Sequence, residues 1–421
     1  MLLNRKDDLN MKKAFCLLIA LALMLGIVNV GALAEEPVTV TLAVWGSGAS
    51  ENFNKGAAAF NARQDKINFV VEMAGDWDTY IGAKIASNDL PDMYFLNPYS
   101  DVQQYAANGR LLDLSDQAFA GKIYDTIKDS CLYDGKTYAY PMCMEFLGIF
   151  YNVDLFNQAG IAEVPQTLDE LRAACEKLQA AGITPFAATY LDDWTLNHAF
   201  STLLGAVTPD WNAMIDNLAN GGSFGDVERI GEVFDFFDLM KEYSGSKYMD
   251  ANSTAGFNAL GSGEAAMLFS GEFSLLNLGS INPDLNVGLM GVPVSNDPAE
   301  TKVATDVGIC VGINPNGAHV AEALEVLNYM SDNADSEGWM NASADSLGAA
   351  PPAMDYTMKT SYQYYTDYTT LMGAGKVQNW LFLRWASGFA SGPDIQKYFA
   401  GTADRDQTIA ALDQTYQGNL E

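Results

Sequence analysis

DGKTYAYPMCMEFLGIFYNVDL, residues Asp134 to Leu155, places a single acid, Glu145, within an otherwise apolar run. Asp134-Gly135 has the composition of a tight turn. Thr137 to Tyr140 reads as one strand and Phe146 to Tyr151 as a second, with Glu145 between them. An ionised carboxylate among Met142, Cys143, Met144, Phe146 and Leu147 is costly unless it is paired, hydrogen-bonded or facing a wet cleft. A cleft costs least; a salt bridge to a buried Arg or Lys is the alternative.

Upstream of this stretch strands and helices alternate: strand Val38 to Trp45, helix Glu51 to Ala62, strand Ile67 to Met73, helix Trp77 to Ala86, strand Asp92 to Phe95, helix Tyr99 to Ala107. Such alternation implies parallel strands covered by helices, so this half is α/β. Downstream, Thr167 reads as an N-cap with Glu170 three residues on, a capping box that opens a helix running through Leu178. Ile183 starts a short strand, Glu264 to Phe269 forms another that ends at Gly271, and Val307 to Ile313 precedes a helix near Ala318 to Met330. No internal period recurs, which excludes a solenoid.

Residues 11 to 34 run Met-Lys-Lys, an apolar stretch from Ala14 to Val30, then Ala32-Leu33-Ala34 ahead of Glu35, the pattern of a secretory signal peptide with its cleavage site. The apolar part is too short and too early for a membrane span. Met11 is the better start, with Met1 to Asn10 as an extension. Setting residues 1–34 aside removes Arg5, Lys6, Lys12, Lys13, Asp7 and Asp8; the remaining 387 residues hold 19 basic and 51 acidic side chains, a formal charge of −32. Such a surface repels phosphate backbones and anionic lipid heads, which disfavours nucleic acid and membrane surfaces as partners. Cys16 lies inside the apolar region and no Cys follows the cleavage site as a lipid anchor would require. The expected product is exported, periplasmic or extracellular, and monomeric.

Cys131, Cys143, Cys175 and Cys310 lack C-x-x-C spacing, which argues against a zinc site or a disulfide scaffold, with a single Cys131–Cys143 bridge left open. His198 and His319 are the only histidines, so Ser-His-Asp, Cys-His and poly-His metal chemistry have little material. His319 reads as a surface residue; His198 follows Trp194 by four in a helical pattern and could face core or cleft, with core or surface the favoured reading. No catalytic residue, cofactor or metal is expected.

The Asp134 to Leu155 segment resembles the crossover between lobes in extracellular solute-binding proteins of bacterial ABC importers, in the sugar-binding, maltose-binding-protein-like group. Tyr140-Pro141, Glu145 and Tyr151-Asn152-Val153-Asp154-Leu155 reproduce that family's order and spacing. Gly263-Glu264-Ala265-Ala266-Met267 resembles a further family pattern, from which the chain departs by carrying Glu272-Phe273 where the aromatic is usually Trp. The resemblance implies a two-lobe periplasmic-binding-protein fold, type II-like, each lobe a sheet flanked by helices. It implies lobe 1 in residues 35–143 and 307–350, lobe 2 in 147–298 and 353–421, and a hinge near 143–147, 297–307 and 349–353. The implied function is to capture a carbohydrate and deliver it to membrane permease subunits, with no catalysis.

In doubly wound sheets ligands sit beyond the carboxyl ends of strands. Strand one ends at Trp45-Gly46-Ser47-Gly48, where Trp45 offers a flat face and Ser47 and Gly48 let backbone amides approach; Trp45 as a core residue closing the strand is equally open. The G-x-G lacks the continuation of a dinucleotide site. Asn97 lies near the family's contact loop and can exchange hydrogen bonds with hydroxyls, while Ser100 suits a helix cap. From the second half, Tyr190, Asp192 and Trp194 combine aromatics with a carboxylate, the mixture a sugar needs for stacking and bidentate hydroxyl bonds. Asp192 also fits as an N-cap. Phe273 aligns with an aromatic platform of the family. Trp380 and Trp385, five residues apart, cannot both face one way on a straight helix; Trp380 is taken as the platform.

Two other readings stay open. A secreted glycoside hydrolase needs only paired carboxylates among aromatic loops, although no two acids stand out at barrel-strand ends. A polyamine-binding protein of the same fold would suit the acidity, whereas a metal-ion binder is weakened by the shortage of His.

Overall fold

The computed structural model describes residues 36–45, 50–332, 363–379 and 389–420. Residues 1–34, read above as a signal peptide, the expected hinge crossing near 349–353 and Ser47, Gly48, Trp380 and Trp385 lie outside the described residues. β1 (Val38–Trp45), α1 (Ser50–Asn61), β2 (Ile67–Ala74), α2 (Trp77–Ser87), β3 (Met93–Leu96) and α3 (Ser100–Ala107) follow one another as expected. β1 lies parallel to both β2 and β3. Parallel strands need covered faces, and α1 supplies one cover by seating Phe53 and Phe60 against the sheet.

β4 (Leu132–Tyr133) and β5 (Lys136–Thr137) form a hairpin about Asp134 and Gly135, with φ of 47° and 73°. Both angles are left-handed, which Asp tolerates and Gly favours in a tight hairpin turn. β6 then runs unbroken from Tyr140 to Asn152. The expectation of two strands flanking a free Glu145 is therefore corrected: Glu145 sits within one continuous strand. The two halves of β6 pair with different neighbours, so the backbone stays hydrogen-bonded throughout.

Next come α4 (Val153–Gln158), α5 (Leu168–Ala180), β7 (Thr184–Phe186), α6 (Asp193–Val207), α7 (Trp211–Ala219), α8 (Ile230–Tyr243), α9 (Ser253–Gly261) and β8 (Ala265–Gly271). α10 (Ser274–Ile281), β9 (Val287–Met290), β10 (Val303–Ile313), α11 (Val320–Asp332), α12 (Gln363–Gly373), β11 (Val377–Asn379), α13 (Gly392–Phe399) and α14 (Arg405–Gly418) complete the described elements. Helix α5 starts as anticipated, Thr167 Oγ1 accepting the Glu170 N–H at 3.2 Å. The reciprocal half of the capping box is displaced, because the Glu170 carboxylate accepts from the Gln166 N–H instead.

The main sheet runs β2-β1-β3-β10-β6-β8-β7, with β11 on β10 and β9 on β6. β10 is antiparallel to β6 from Ala304 opposite Leu147 to Val311 opposite Tyr140. Beyond Leu147, β6 is carried by β8 and β9. One hydrophobic core gathers Val40, Phe53, Phe69, Tyr94, Tyr140, Val311 and Val326; another gathers Ile149, Leu171, Phe186, Phe200, Phe237, Met267 and Tyr398. A third, around Phe146, Phe150, Leu268, Tyr364 and Tyr368, flanks the second half of β6. Each fully buried Phe or Leu contributes about 1.5–3 kcal/mol, so both large cores can hold a lobe together independently. The chain is a two-lobe α/β fold, and β6 passes between the two large cores. Cys131, Cys143, Cys175 and Cys310 are buried and free, so the Cys131–Cys143 bridge is not formed.

Candidate functional site

The site is built on the crossing of β6 and β10. Asp306 on β10 stands opposite Glu145 on β6, and the register slips between Val307 and Ile309, leaving Gly308 as the bulged residue. Bulges bend a strand and redirect side chains. Here the bulge opens room for Glu145: a Cβ added to Gly308 would lie 2.1 Å from Glu145 Cδ and 2.4 Å from its Oε1. Glu145 keeps a partly exposed edge, yet the protein packed around its carboxyl group is dense enough that desolvation raises its pKa to about 7.

Glu272, 2 % exposed, lies beside it. Its Oε2 accepts the Phe146 N–H at 2.9 Å, and its own N–H donates to Phe146 O at 3.1 Å. Burial, then the charge of Glu145, push the Glu272 pKa well above the carboxylate range. Asp306 is 1 % exposed, and its Oδ1 accepts from both the Tyr99 hydroxyl at 2.6 Å and the Val307 N–H at 2.8 Å. No Lys or Arg is ion-paired to Glu145 or Glu272 among the described residues. The buried-salt-bridge alternative for Glu145 therefore does not describe this crossing. Glu145 and Glu272 are thus two buried carboxyl groups beside each other, with Asp306 opposite Glu145 in the strand register.

On the first-lobe side, Trp45 is half-buried at the end of β1, its ring edge-on to Trp77 at 5.1 Å and to Phe95 at 5.0 Å. It closes the strand against the core and retains an accessible edge. Asn97 is half-buried just past β3, and its N–H and Nδ2 both donate to Asp101 Oδ2, at 2.8 and 2.9 Å. Tyr99 follows at φ 62°, ψ −83°.

On the second-lobe side, Trp194 projects from the first turn of α6 and is 36 % exposed. Its ring meets His198 at 5.2 Å and Phe273 at 5.8 Å, and His198 meets Phe273 at 5.9 Å. Phe273 folds back over Gly271, where a Cβ would approach its ring to 2.2 Å. Gly271 is thus required for the ring's position. Burial lowers the His198 pKa to about 3, so the imidazole is neutral and presents one donor and one acceptor.

Two expectations are corrected. Tyr190 is 2 % exposed, its hydroxyl shares a 2.8 Å hydrogen bond with Ser244 Oγ, and its ring packs on Phe399 at 4.7 Å. It is a core residue, because its polar end is already satisfied inside the lobe. Asp192 occupies the N-cap position of α6 without capping it; its Oδ2 accepts the Ser253 N–H at 2.8 Å and so tethers the start of α9. Its carboxylate is committed to structure. Ser47, Gly48 and Trp380 fall outside the described residues.

The structure adds Tyr99, His198, Glu272 and Asp306 to the neighbourhood. His198 was discoverable, since it follows Trp194 by one helical turn. Glu272 adjoins Phe273 in a strand end otherwise apolar. Asp306 and Tyr99 carried no local signal, because their meeting depends on a pairing between residues 207 positions apart. Among the described residues no group of three or more His, Cys, Asp or Glu could hold a metal ion. A cavity of about 550 Å³ lined by Val207, Met214, Asn217 and Arg229 lies away from the crossing, on the surface of the second lobe.

Comparison with known proteins gives this geometry a family. The model of bacterial extracellular solute-binding proteins matches residues 46–337. The multiple sugar-binding protein of Streptococcus mutans is 24% identical over 283 residues, 65% of this chain and 66%, just under two thirds, of that protein. The melibiose/raffinose/stachyose-binding protein MelE of Bacillus subtilis is 22% identical over 351 residues, 79% of each chain. The apo form of RafE from Streptococcus pneumoniae superposes with a TM-score of 0.74 at 18% identity, covering 92% of this chain and 99% of that one. The chain belongs to the bacterial extracellular solute-binding protein family.

Proposed function

We propose that this solute-binding protein captures a carbohydrate, a mono- or oligosaccharide, between its two lobes and delivers it to the permease of an ABC importer. One observation carries the reading. A row of side chains, Tyr99, Asp306, Glu145, Glu272, Phe273 and Trp194, leads across the strand crossing, with Asn97 two residues before Tyr99, and places buried carboxyl groups near partly exposed aromatic rings. Sugars present hydroxyl donors and apolar C–H faces in that combination. The sugar-binding relatives named above support the same ligand class.

The lobes would comprise residues 35–143 with 307–350 and 147–298 with 353–421, hinged near 143–147, 297–307 and 349–353. The separate cores on either side of β6 support these limits. Ligand contacts from both lobes coexist only when they close, so binding shifts the population toward closure. Export by the leader at residues 1–34, a monomeric state and the absence of catalysis belong to the same proposal. Hydrolysis would require two free acids across a substrate; Glu145 and Glu272 are side-by-side neighbours and Asp192 is held by Ser253.

A thermal-shift screen against mono- and oligosaccharides, with spermidine alongside, tests the reading. A ligand at one hundred times its Kd adds about 2.7 kcal/mol to stability. A shift with a sugar and unchanged sugar afterwards is the expected result. A shift with spermidine alone, or release of shorter products, would overturn it.

A further inference from the structure

Pro98, Tyr99 and Ser100 form a γ-turn of the rare positive-φ kind: Ser100 N–H donates to Pro98 O at 2.8 Å, and Tyr99 sits at φ 62°, ψ −83°. A bulky aromatic in that region is strained and persists only where its surroundings over-determine it. Three contacts do so. The Tyr99 N–H donates to Ser130 O at 2.8 Å. Its ring packs with Leu147 and Ala304, which face each other across β6 and β10. Its hydroxyl donates to Asp306 Oδ1 at 2.6 Å, inside a buried environment where hydrogen bonds are electrostatically stronger than in water.

The placement of this strain matters more than its existence. Asn97, a candidate ligand contact, lies two residues before Tyr99 and is fastened to Asp101 two residues after it. Asp306 stands opposite Glu145 in the register of the crossing strands. An ordinary turn with the tyrosine pointing to solvent would leave the Asn97 to Asp101 loop free to move relative to Glu145. The strained turn instead directs the ring onto the β6/β10 crossing.

We propose that Tyr99 is a positioning residue whose hydroxyl bond to Asp306 fastens the Asn97 to Asp101 loop to the β6/β10 crossing, so that this loop and Glu145 meet a ligand as one rigid unit. The affinity consequence rests on the carbohydrate-capture reading. The mechanical consequence does not.

Both are tested on the full exported chain with Tyr99→Phe, which keeps the ring, Asp306→Ala, the conservative Asp306→Asn, which keeps an acceptor oxygen, and the Tyr99→Phe/Asp306→Ala double variant. Without ligand, amide exchange at Asn97 and Ser100 is expected to quicken about tenfold in Tyr99→Phe, while Leu171 in α5 is unchanged. With raffinose, or whichever sugar binds the parent protein most tightly, affinity is expected to fall at least about fivefold in Tyr99→Phe and Asp306→Ala, and to stay within about twofold in Asp306→Asn. The double variant is expected to bind no more weakly than the worse single one, since both remove the same bond. Unchanged exchange in the loop overturns the proposal, as do additive affinity losses. If the parent protein binds no sugar, the capture reading fails and the exchange measurement alone decides the role of Tyr99.

Discussion

Replacing Gly308 by Ala isolates the geometry of Glu145 with one methyl group. Gly308 does not have a positive φ, so alanine meets no left-handed backbone strain at that residue. The new Cβ would nevertheless fall 2.1 Å from Glu145 Cδ, 2.2 Å from Cγ and 2.4 Å from Oε1, distances that real contacts do not reach. The obstructing atoms are the far end of a flexible side chain, so the carboxyl group is expected to swing aside while the β6/β10 pairing survives. Stability should change by less than about 1 kcal/mol, below the usual range for core overpacking. Affinity should fall at least about tenfold, or ~1.4 kcal/mol, because a hydrogen bond to a charged partner contributes about that much or more. Glu145→Ala should fold normally and lose a similar amount. In the Glu145→Ala background Gly308→Ala should cost nothing further, since the space is already vacant. Calorimetric titration of the four proteins with the sugar selected by the thermal-shift screen measures the cycle. Parent-like affinity in Gly308→Ala, or two losses that add, would refute the reasoning.

Two further outcomes follow from burial. The folded pKa of Glu145, about 7, lies above its ordinary 4.5, so the folded state holds that proton longer than the unfolded chain; its contribution is fully present below about pH 4.5 and is lost as pH rises through 7. For Glu145 this amounts to about 3 kcal/mol at most. Glu272 is shifted the same way, whereas His198, with its pKa lowered to about 3, acts with the opposite sign below about pH 6.5. The measurable quantity is therefore the difference between parent and Glu145→Gln in urea unfolding from pH 5 to 8, which should widen in favour of the variant as pH rises; a constant difference would contradict the shift. Tyr190→Phe should lose about 1 kcal/mol of stability by stranding Ser244 Oγ, yet leave sugar affinity unaltered. A loss of affinity at constant stability would return Tyr190 to the ligand site.

The sequence displayed its local rules openly and its long-range ones poorly. β1 from Val38 to Trp45 was legible end to end because it is a short apolar strand followed directly by a helical pattern. The Thr167 cap was equally plain, being a contact between residues three apart. The run through Glu145 misled, since an acid in an apolar segment signals an interruption when only one chain is seen. In the fold β10 and β8 supply hydrogen bonds to either side of that residue, and a bulge at Gly308 accommodates its side chain. Glu145 was recognisable as unusual, but the reason it is tolerated lay 163 residues away. Tyr190 illustrates the converse: an aromatic beside two acids suggests a sugar platform, yet Ser244 and Phe399, remote in sequence, turn it into the core.

Glu145 and Glu272 lie together at the crossing, and burial raises the pKa of both. Like carboxyl groups held on paired strands repel when ionised, and desolvation raises the cost further. A ligand that donates hydroxyls to Glu145 favours its ionised form and offsets part of that penalty, so capture just below about pH 7 would release protons. Binding would then weaken as pH falls through 7, while the empty protein gains stability from Glu145 over the same range. Opposite responses of affinity and stability to one group distinguish a ligand-facing acid from a structural one, whose protonation would move both together.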